Sequence, residues 1–463
     1  MAKILAQLNG LLWGIPALLL LAGVGIALSI QLRFVQLRLL PEALGTFFQK
    51  LRHRDASFRA LCTALGATVG TGNLVGVAGA ICLGGPGTVF WMWLCGLLGM
   101  ATKYAEATLA VRYRVQEKGS FFGGPMYMIT RGLGKPFHPL AKLYCVFGML
   151  AAFGVGCGAQ VNAAVSAVKE IPAFTNVLEG RGLVLPGLIA AVLTGKLLLG
   201  GAGKIASYTE RLVPLAAAGY IALCAGVLVV HADRIGWAFG QICLGAFDPK
   251  AVTGGILGSG FQALRIGCSR GVFTNEAGMG TASIAHAVAK VEHPAQQGLM
   301  GIMEVFLDTE VICTLTALVI LVSGVPVAYG QDLGAVLTGA AFASVYGSLA
   351  NWLIALMLVC FALASILGWG FYGARCAQFL FGQGIWPWYV LALSIGAAYS
   401  AVADSAIVWQ FSETMNGLMV IPNLITLALL TPEVRCLTKD YLKIRRINAG
   451  GGYYADFHQC KPL

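Results

Sequence analysis

"ALGATVGTGNLVGVAGAICLGGPG", residues 64–87, decides how this chain is to be read. It holds eight glycines and no charge in twenty-four positions, between flanks as apolar as a membrane span. Glycine in a helix interior costs about 1 kcal/mol relative to alanine, so a continuous helix is poorly supported here. In lipid the alternative is harder still, because released N–H and C=O groups find no water. A membrane segment breaks at depth only where the freed groups meet a ligand, an ion or water.

The surroundings are indeed membrane-like. Of 463 residues, 58% are hydrophobic and 11% charged, against roughly 25% charged in soluble domains. Apolar runs predict helices at about 11–32, 60–83, 86–111, 140–168, 183–200, 209–231, 251–289, 297–324, 347–381, 386–404 and 407–431, eleven in all. The thirteen cysteines are scattered without a CxxC pair and read as small packing residues rather than disulfides or metal ligands. The six histidines form no HExxH. No GxxxxGK[ST] is present, which argues against ATP hydrolysis on this chain.

A net charge of +11 can signal nucleic acid, but its distribution argues otherwise. Segments 33–59, 112–142, 196–211 and 435–461, with Lys290 and Arg375, carry 23 of the 31 Lys and Arg residues. The alternate connections carry 5 (Lys3, Lys169, Arg181, Arg234, Lys250), and Lys103, Arg265 and Arg270 fall within helices. By the positive-inside rule the N-terminus lies outside and the C-terminus in the cytoplasm. The first run has no clear A-x-A site and is followed by Arg33 and Arg38, which fits a retained helix rather than a signal peptide. Segment 33–59 then reads as amphipathic, along the cytoplasmic surface.

Setting the first helix aside leaves ten. The first of these contains TVGTGNLVG and the sixth SRGVFTNEAGMGTAS (269–283), so each opens a set of five. An odd number per set makes the second run inverted. Glycine-rich helices also arise from close packing, but two interrupted segments in matching positions point to a transporter binding site. The predicted organisation is an N-terminal helix and amphipathic segment (1–58), a five-helix repeat (59–231), an inverted repeat (251–431) and a cytoplasmic tail (432–463).

GTGNLVGVAGAICLGGPGTVFWMWLCGLLGMATKYAEATLAVRYR (71–114), GGPMYMITRGLG (123–134), RGVFTNEAGMGTASIAHA (270–287) and NGLMVIPNLITLALL (416–430) resemble the alanine/glycine:cation symporters. These are amino-acid carriers of bacterial and archaeal membranes, driven chiefly by sodium. The resemblance spans about 55–431. It implies the all-α leucine-transporter-type fold, a 5+5 inverted repeat with an extra N-terminal helix, and no cofactor beyond the transported ion. Departures are Thr274 where Ser is frequent, Ser365 where Thr is frequent, and Glu413 near a usual Asp.

A zwitterionic amino acid needs a positive and a negative surface. At the first break the N–H groups of Thr71, Gly72 and Asn73 would meet the carboxylate, helped by the following half-helix dipole. Gly72 lets the backbone itself approach, and Asn73 could instead cap the half-helix. Gln160, carried over as a substrate contact, could equally make an interhelical hydrogen bond, and Asn162 is its alternative. Phe273, Thr274 and Asn275 sit at the second break, with Phe273 as a wall and the carbonyls and Asn amide toward the ammonium. Trp369, one turn beyond Ser365, would limit side-chain size. The resemblance implies a sodium site near Ala67, Gly70 and Ser365. Glu276 would be neutralised by Arg265 and Arg270, or handle a proton or cation. Lys103 and Glu106 are spaced to pair, while Asp308, Glu310 and Glu304 could line a vestibule or be partnered structurally.

The expected function is sodium-coupled import of alanine or glycine, with a proton as alternative driver. A channel would need a ring of filter residues, and a membrane enzyme a nucleophile with its base; neither pattern is present. No obligate protein partner is implied. Cysteines placed at residues 3 and 455 should label from opposite sides of the membrane. Labelling of both from one side would contradict the odd helix count.

Overall fold

The computed structural model describes residues 2–117, 119–178, 180–253, 260–331 and 333–449. Part of the seventh apolar run, 254–259, and the tail from 450 onward lie outside the described residues. Among the described residues six helices are long and apolar enough to cross a membrane alone, and the bent pair Ala56–Thr68 and Gly72–Gly84, inclined by 49°, makes a seventh if read as one span. Helices Val184–Leu198 and Gly334–Tyr346 are apolar but shorter.

The N-terminal span, Ile15–Gln31, ends where Arg33 and Phe34 both take left-handed backbone angles (φ 56° and 52°). That turn directs the chain into the amphipathic helix Leu40–His53. Asp55 then caps the first core helix by accepting the Phe58 N–H at 2.9 Å, a contact that satisfies one of the orphan donors of a helix start. Two helices without a counterpart among the expected runs, Ile235–Phe247 and Gly334–Tyr346, fill connections. At 13 residues each they are roughly 20 Å long, too short to span. A two-stranded hairpin, Val115–Glu117 with Ser120–Phe122, interrupts the otherwise helical chain. The last helix runs unbroken from Ser405 to Ala449, past the expected end at 431. Among the described residues eleven cysteines are free thiols.

The second break falls at 276–280, between helices Gly260–Asn275 and Thr281–His286. Glu276, Gly278 and Gly280 have φ of 54°, 91° and 76°. Two of these are glycines, for which that region carries no Cβ penalty; Glu276 bears the strain. Behind the break, helices Thr88–Arg112 and Pro294–Val305 approach to backbone distance. A Cβ on Gly301 would stand 2.6 Å from the Lys103 carbonyl oxygen, the small-residue contact typical of membrane helices.

A buried polar core lies between them. Lys103 Nζ donates to Glu304 Oε1 at 2.9 Å, and Glu304 Oε2 lies 2.8 Å from His286 Nε2. His286 Nδ1 is 2.7 Å from Gln297 Nε2, and Gln297 in turn accepts from Ser57. Lys103 therefore pairs across helices with Glu304, not along its helix with Glu106. Glu106 Oε1 instead accepts from the Gly278 and Gly280 N–H groups at 3.0 and 3.1 Å and from Asn423 Nδ2 at 2.7 Å. Removing one member of a buried pair strands the other charge, at about 3–5 kcal/mol. Lys103→Met should accordingly lower thermal stability sharply, and Lys103→Met/Glu304→Met should recover part of the loss. Additive losses in the double variant would show that the two side chains are not coupled.

Candidate substrate and cation site

The first break is made by redirected backbone donors. The Gly70 N–H goes to Asn73 Oδ1 at 2.9 Å and the Thr71 N–H to Gln160 Oε1 at 3.4 Å. In a continuing helix those two donors would serve the carbonyls of Gly66 and Ala67, which are thereby released. Asn73 thus turns back on the break rather than capping the half-helix ahead. Its amide donates to Asp308 Oδ1 at 2.7 Å and to the Asp308 carbonyl at 3.2 Å. Three π-helical segments converge here, Gly72–Gly76, Ala152–Gly158 and Phe306–Cys313. Such segments carry widened turns that recur at functional sites.

Most of the expected residues come together. Thr71, Gly72, Asn73, Gln160, Thr274, Asn275, Ser365 and Trp369 are all buried. A Cβ on Gly72 would stand 3.0 Å from Thr274 Cγ2 and 3.4 Å from Phe273 Cδ1, so the two breaks face each other. A Cβ on Gly70 would stand 2.7 Å from Ser365 Oγ and 3.1 Å from Gln160 Oε1. One on Gly368 would meet Ala67 Cβ at 2.7 Å. Ala67, Gly70 and Ser365 therefore share one neighbourhood. Thr71 Oγ1 and Ser365 Oγ are buried and make no hydrogen bond. Such groups cost free energy unless a partner arrives, which marks this as a place for a polar guest.

Other expectations are redirected. The Asn275 amide donates to Thr309 Oγ1 at 3.1 Å and accepts from the Ala277 N–H at 2.9 Å, so it holds the break instead of facing a ligand. Thr274 Oγ1 is likewise spent on the Gly271 carbonyl. Asn162 reaches the Ala403 carbonyl at 3.2 Å, away from Gln160's partners. Trp369 packs on Gly156, where a Cβ would stand 2.2 Å from its own Cβ; full burial removes any interfacial role for it. Phe273 packs against Trp409, with ring centroids 5.3 Å apart and the planes inclined by 38°. Arg270 does not neutralise Glu276. It lies 3.5 Å from Glu413 and over the Trp409 ring at 5.9 Å. Arg265 lines a recess of about 390 Å³ with Arg270, Glu413, Trp13 and Gln262. Glu276 itself accepts from Thr281 Oγ1.

Trp409 is a site residue that the sequence reading passed over, and Asp308, expected to line a vestibule or be partnered structurally, is partnered by Asn73 at the first break. Asp308 is one acid among three on its helix, and only the fold shows that Asn73 selects it. Trp409 sits in a run read simply as the last span.

Gly72→Val tests the backbone's role at the break. The added methyls would press on Thr274 and Phe273, so binding should be lost while membrane insertion persists. Ordinary affinity in a well-folded Gly72→Val protein would remove the backbone from the site.

The sodium:alanine symporter family model matches residues 1–451. The sodium/alanine symporter AgcS of Methanococcus maripaludis is 42% identical over 458 residues, covering 95% of this chain and 97% of that protein. An uncharacterized transporter of Haemophilus influenzae is 41% identical over 458 residues, with 96% and 97% covered. Among solved structures, MhsT in complex with L-phenylalanine aligns with a TM-score of 0.55 at 14% identity, covering 80% of this chain and 88% of that one. That likeness bears on the fold, which is of the leucine-transporter type.

Proposed function

The chain belongs to the sodium:alanine symporter family, and from that premise we propose that it imports alanine or glycine together with sodium by alternating access. Amino-acid:cation symport is what the family does, and its members are transporters rather than enzymes. The observation carrying the finer reading is that Thr71 Oγ1 and Ser365 Oγ are buried without partners around Gly70 and Gln160 at the first break.

The substrate carboxylate would take the Gly72 N–H and the Thr71 hydroxyl, at the positive end of the half-helix; of the other expected donors, the Asn73 N–H is turned to the Gly70 carbonyl at 3.3 Å and the Thr71 N–H to Gln160. The ammonium would take Gln160 and the carbonyls of Phe273, Thr274 and Asn275. Sodium would sit among the carbonyls near Ala67 and Gly70 and the Ser365 hydroxyl, an all-oxygen setting that suits a hard cation. One imported charge gains about 2.3 kcal/mol per 100 mV, roughly fifty-fold accumulation. Buried Asp308, hydrogen-bonded to Asn73 at the break, favours proton coupling as the second reading.

Two closures would alternate. On the side of the N-terminus, Phe273 on Trp409 and Arg270 beside Glu413 cover the site beneath the recess. On the other, the Lys103–Glu304–His286 core and Glu106 hold the second break shut. The charge asymmetry places the N-terminus outside the cell membrane and the tail inside. Residues 59–231 and 251–431 would be the inverted repeats, preceded by 1–58 and followed by the 432–463 tail.

Counterflow in proteoliposomes with labelled amino acids tests the reading. Alanine and glycine should exchange only with sodium present, and valine and leucine should compete poorly. Trp369→Ala should widen the range toward branched side chains and weaken alanine. One methylene in an apolar pocket is worth about 1–3 kcal/mol, so the ranking should shift visibly. Sodium-independent exchange driven by a pH gradient would replace sodium with the proton. An unchanged ranking in Trp369→Ala would remove Trp369 from the pocket wall.

A further inference from the structure

Six basic side chains from the two ends of the chain wall one groove of about 470 Å³, and we propose that this groove binds the phosphate head group of an anionic phospholipid. Nothing in the transport reading uses it. On one wall the last helix continues beyond its apolar stretch and presents Arg435, Lys439, Lys443 and Arg446. Spacings of four, four and three put them on one helix face. On the other wall, the left-handed turn at Arg33 and Phe34 presents Arg33 and Arg38. Leu32, Leu442 and Ile447 complete the lining.

Among the described residues no carboxylate lines the groove. The acids of these segments turn away and are taken elsewhere. Glu433 receives Arg112 at 2.8 Å, Asp440 lies 3.5 Å from His293, and Glu42 receives Arg445 at 2.8 Å. The positive-inside rule needs basic residues near the spans, but it does not require two distant segments to aim them into one concavity. Basic clusters just beyond a membrane helix attract anionic lipid, and guanidinium forks match phosphate oxygens. The same two segments expose Ile30, Phe34, Leu37 and Leu429, apolar side chains suited to lie among acyl chains. An occupant would fasten the N-terminal helix to the last one.

The test uses the full chain, purified and delipidated in detergent. Phosphatidylglycerol should be retained in native mass spectrometry and should raise the unfolding temperature, and phosphatidylcholine should do neither. In R435Q/K439Q/K443Q/R446Q, and independently in R33Q/R38Q on the opposite wall, both effects should fall. Each neutralised cation should weaken lipid binding roughly fivefold. K196Q/K204Q/R211Q, which removes charge from another basic segment, should retain both effects. The proposal is overturned if the folded groove variants hold phosphatidylglycerol like the parent, or if the control loses it equally. Inorganic phosphate at matched head-group concentration should have no effect; an equal temperature rise would make a free phosphate, not a lipid, the ligand.

Discussion

In a medium without water, every backbone donor released by a helix break must find a partner inside the protein, and this chain meets that demand with side-chain acceptors, two of the three borrowed from other helices. At the first break Asn73 and Gln160 accept the Gly70 and Thr71 N–H groups. At the second, Glu106 accepts those of Gly278 and Gly280. Each acceptor is itself held. Asn73 is anchored on Asp308 and Glu106 on Asn423. The breaks thereby fix the registers of the helices carrying residues 308 and 423, and much of the bundle's arrangement follows from keeping two discontinuities satisfied.

The two breaks differ in what they leave over. The first is closed by neutral amides, and the Thr71 and Ser365 hydroxyls remain beside it without protein partners. The second is closed by the Glu106 carboxyl group, on the helix that also carries Lys103 of the Lys103–Glu304–His286 network. A buried ionic network is weak evidence for stability, because desolvation offsets much of the attraction. It does fix geometry, since any sliding of helix Pro294–Val305 against Thr88–Arg112 would strand a charge. On the proposed reading the first break receives substrate and the second gives a rigid surface against which to hold it.

The sequence displayed the breaks before the structure did, because glycine clustering and the Asn in each segment are local features. Of the residues named from the sequence, Gly72 lies in the first break, and Gln160 and Ser365 lie against Gly70 beside it. Partner choice was not legible. Lys103 has Glu106 one turn away, yet bonds Glu304, 201 positions later. Arg270 has Glu276 six residues on, yet lies beside Glu413. Helical spacing says which groups could meet within a helix and is blind to helices packing at backbone distance through Gly301. Phe273 and Trp409 illustrate the same limit: each reads as an ordinary apolar residue until the fold packs them together.

The unequal closures set what coupling has to accomplish. An aromatic pair contributes about 0.5–1.5 kcal/mol beyond area burial, whereas stranding one charge of a buried pair costs about 3–5 kcal/mol. On the proposed reading, the Phe273–Trp409 side therefore parts more readily than the ionic side. A ligand shifts such an equilibrium only by its differential affinity for the two states, and reversing a 1:99 population takes about 5.5 kcal/mol. A small amino acid has few atoms with which to supply that difference alone. The cation can supply the rest if its oxygens are complete only when both breaks close together. Gly70, flanked by Ser365 Oγ and Gln160 Oε1, joins the proposed cation neighbourhood to a substrate-contacting amide. That shared residue is where the affinities of the two cargoes would become one quantity.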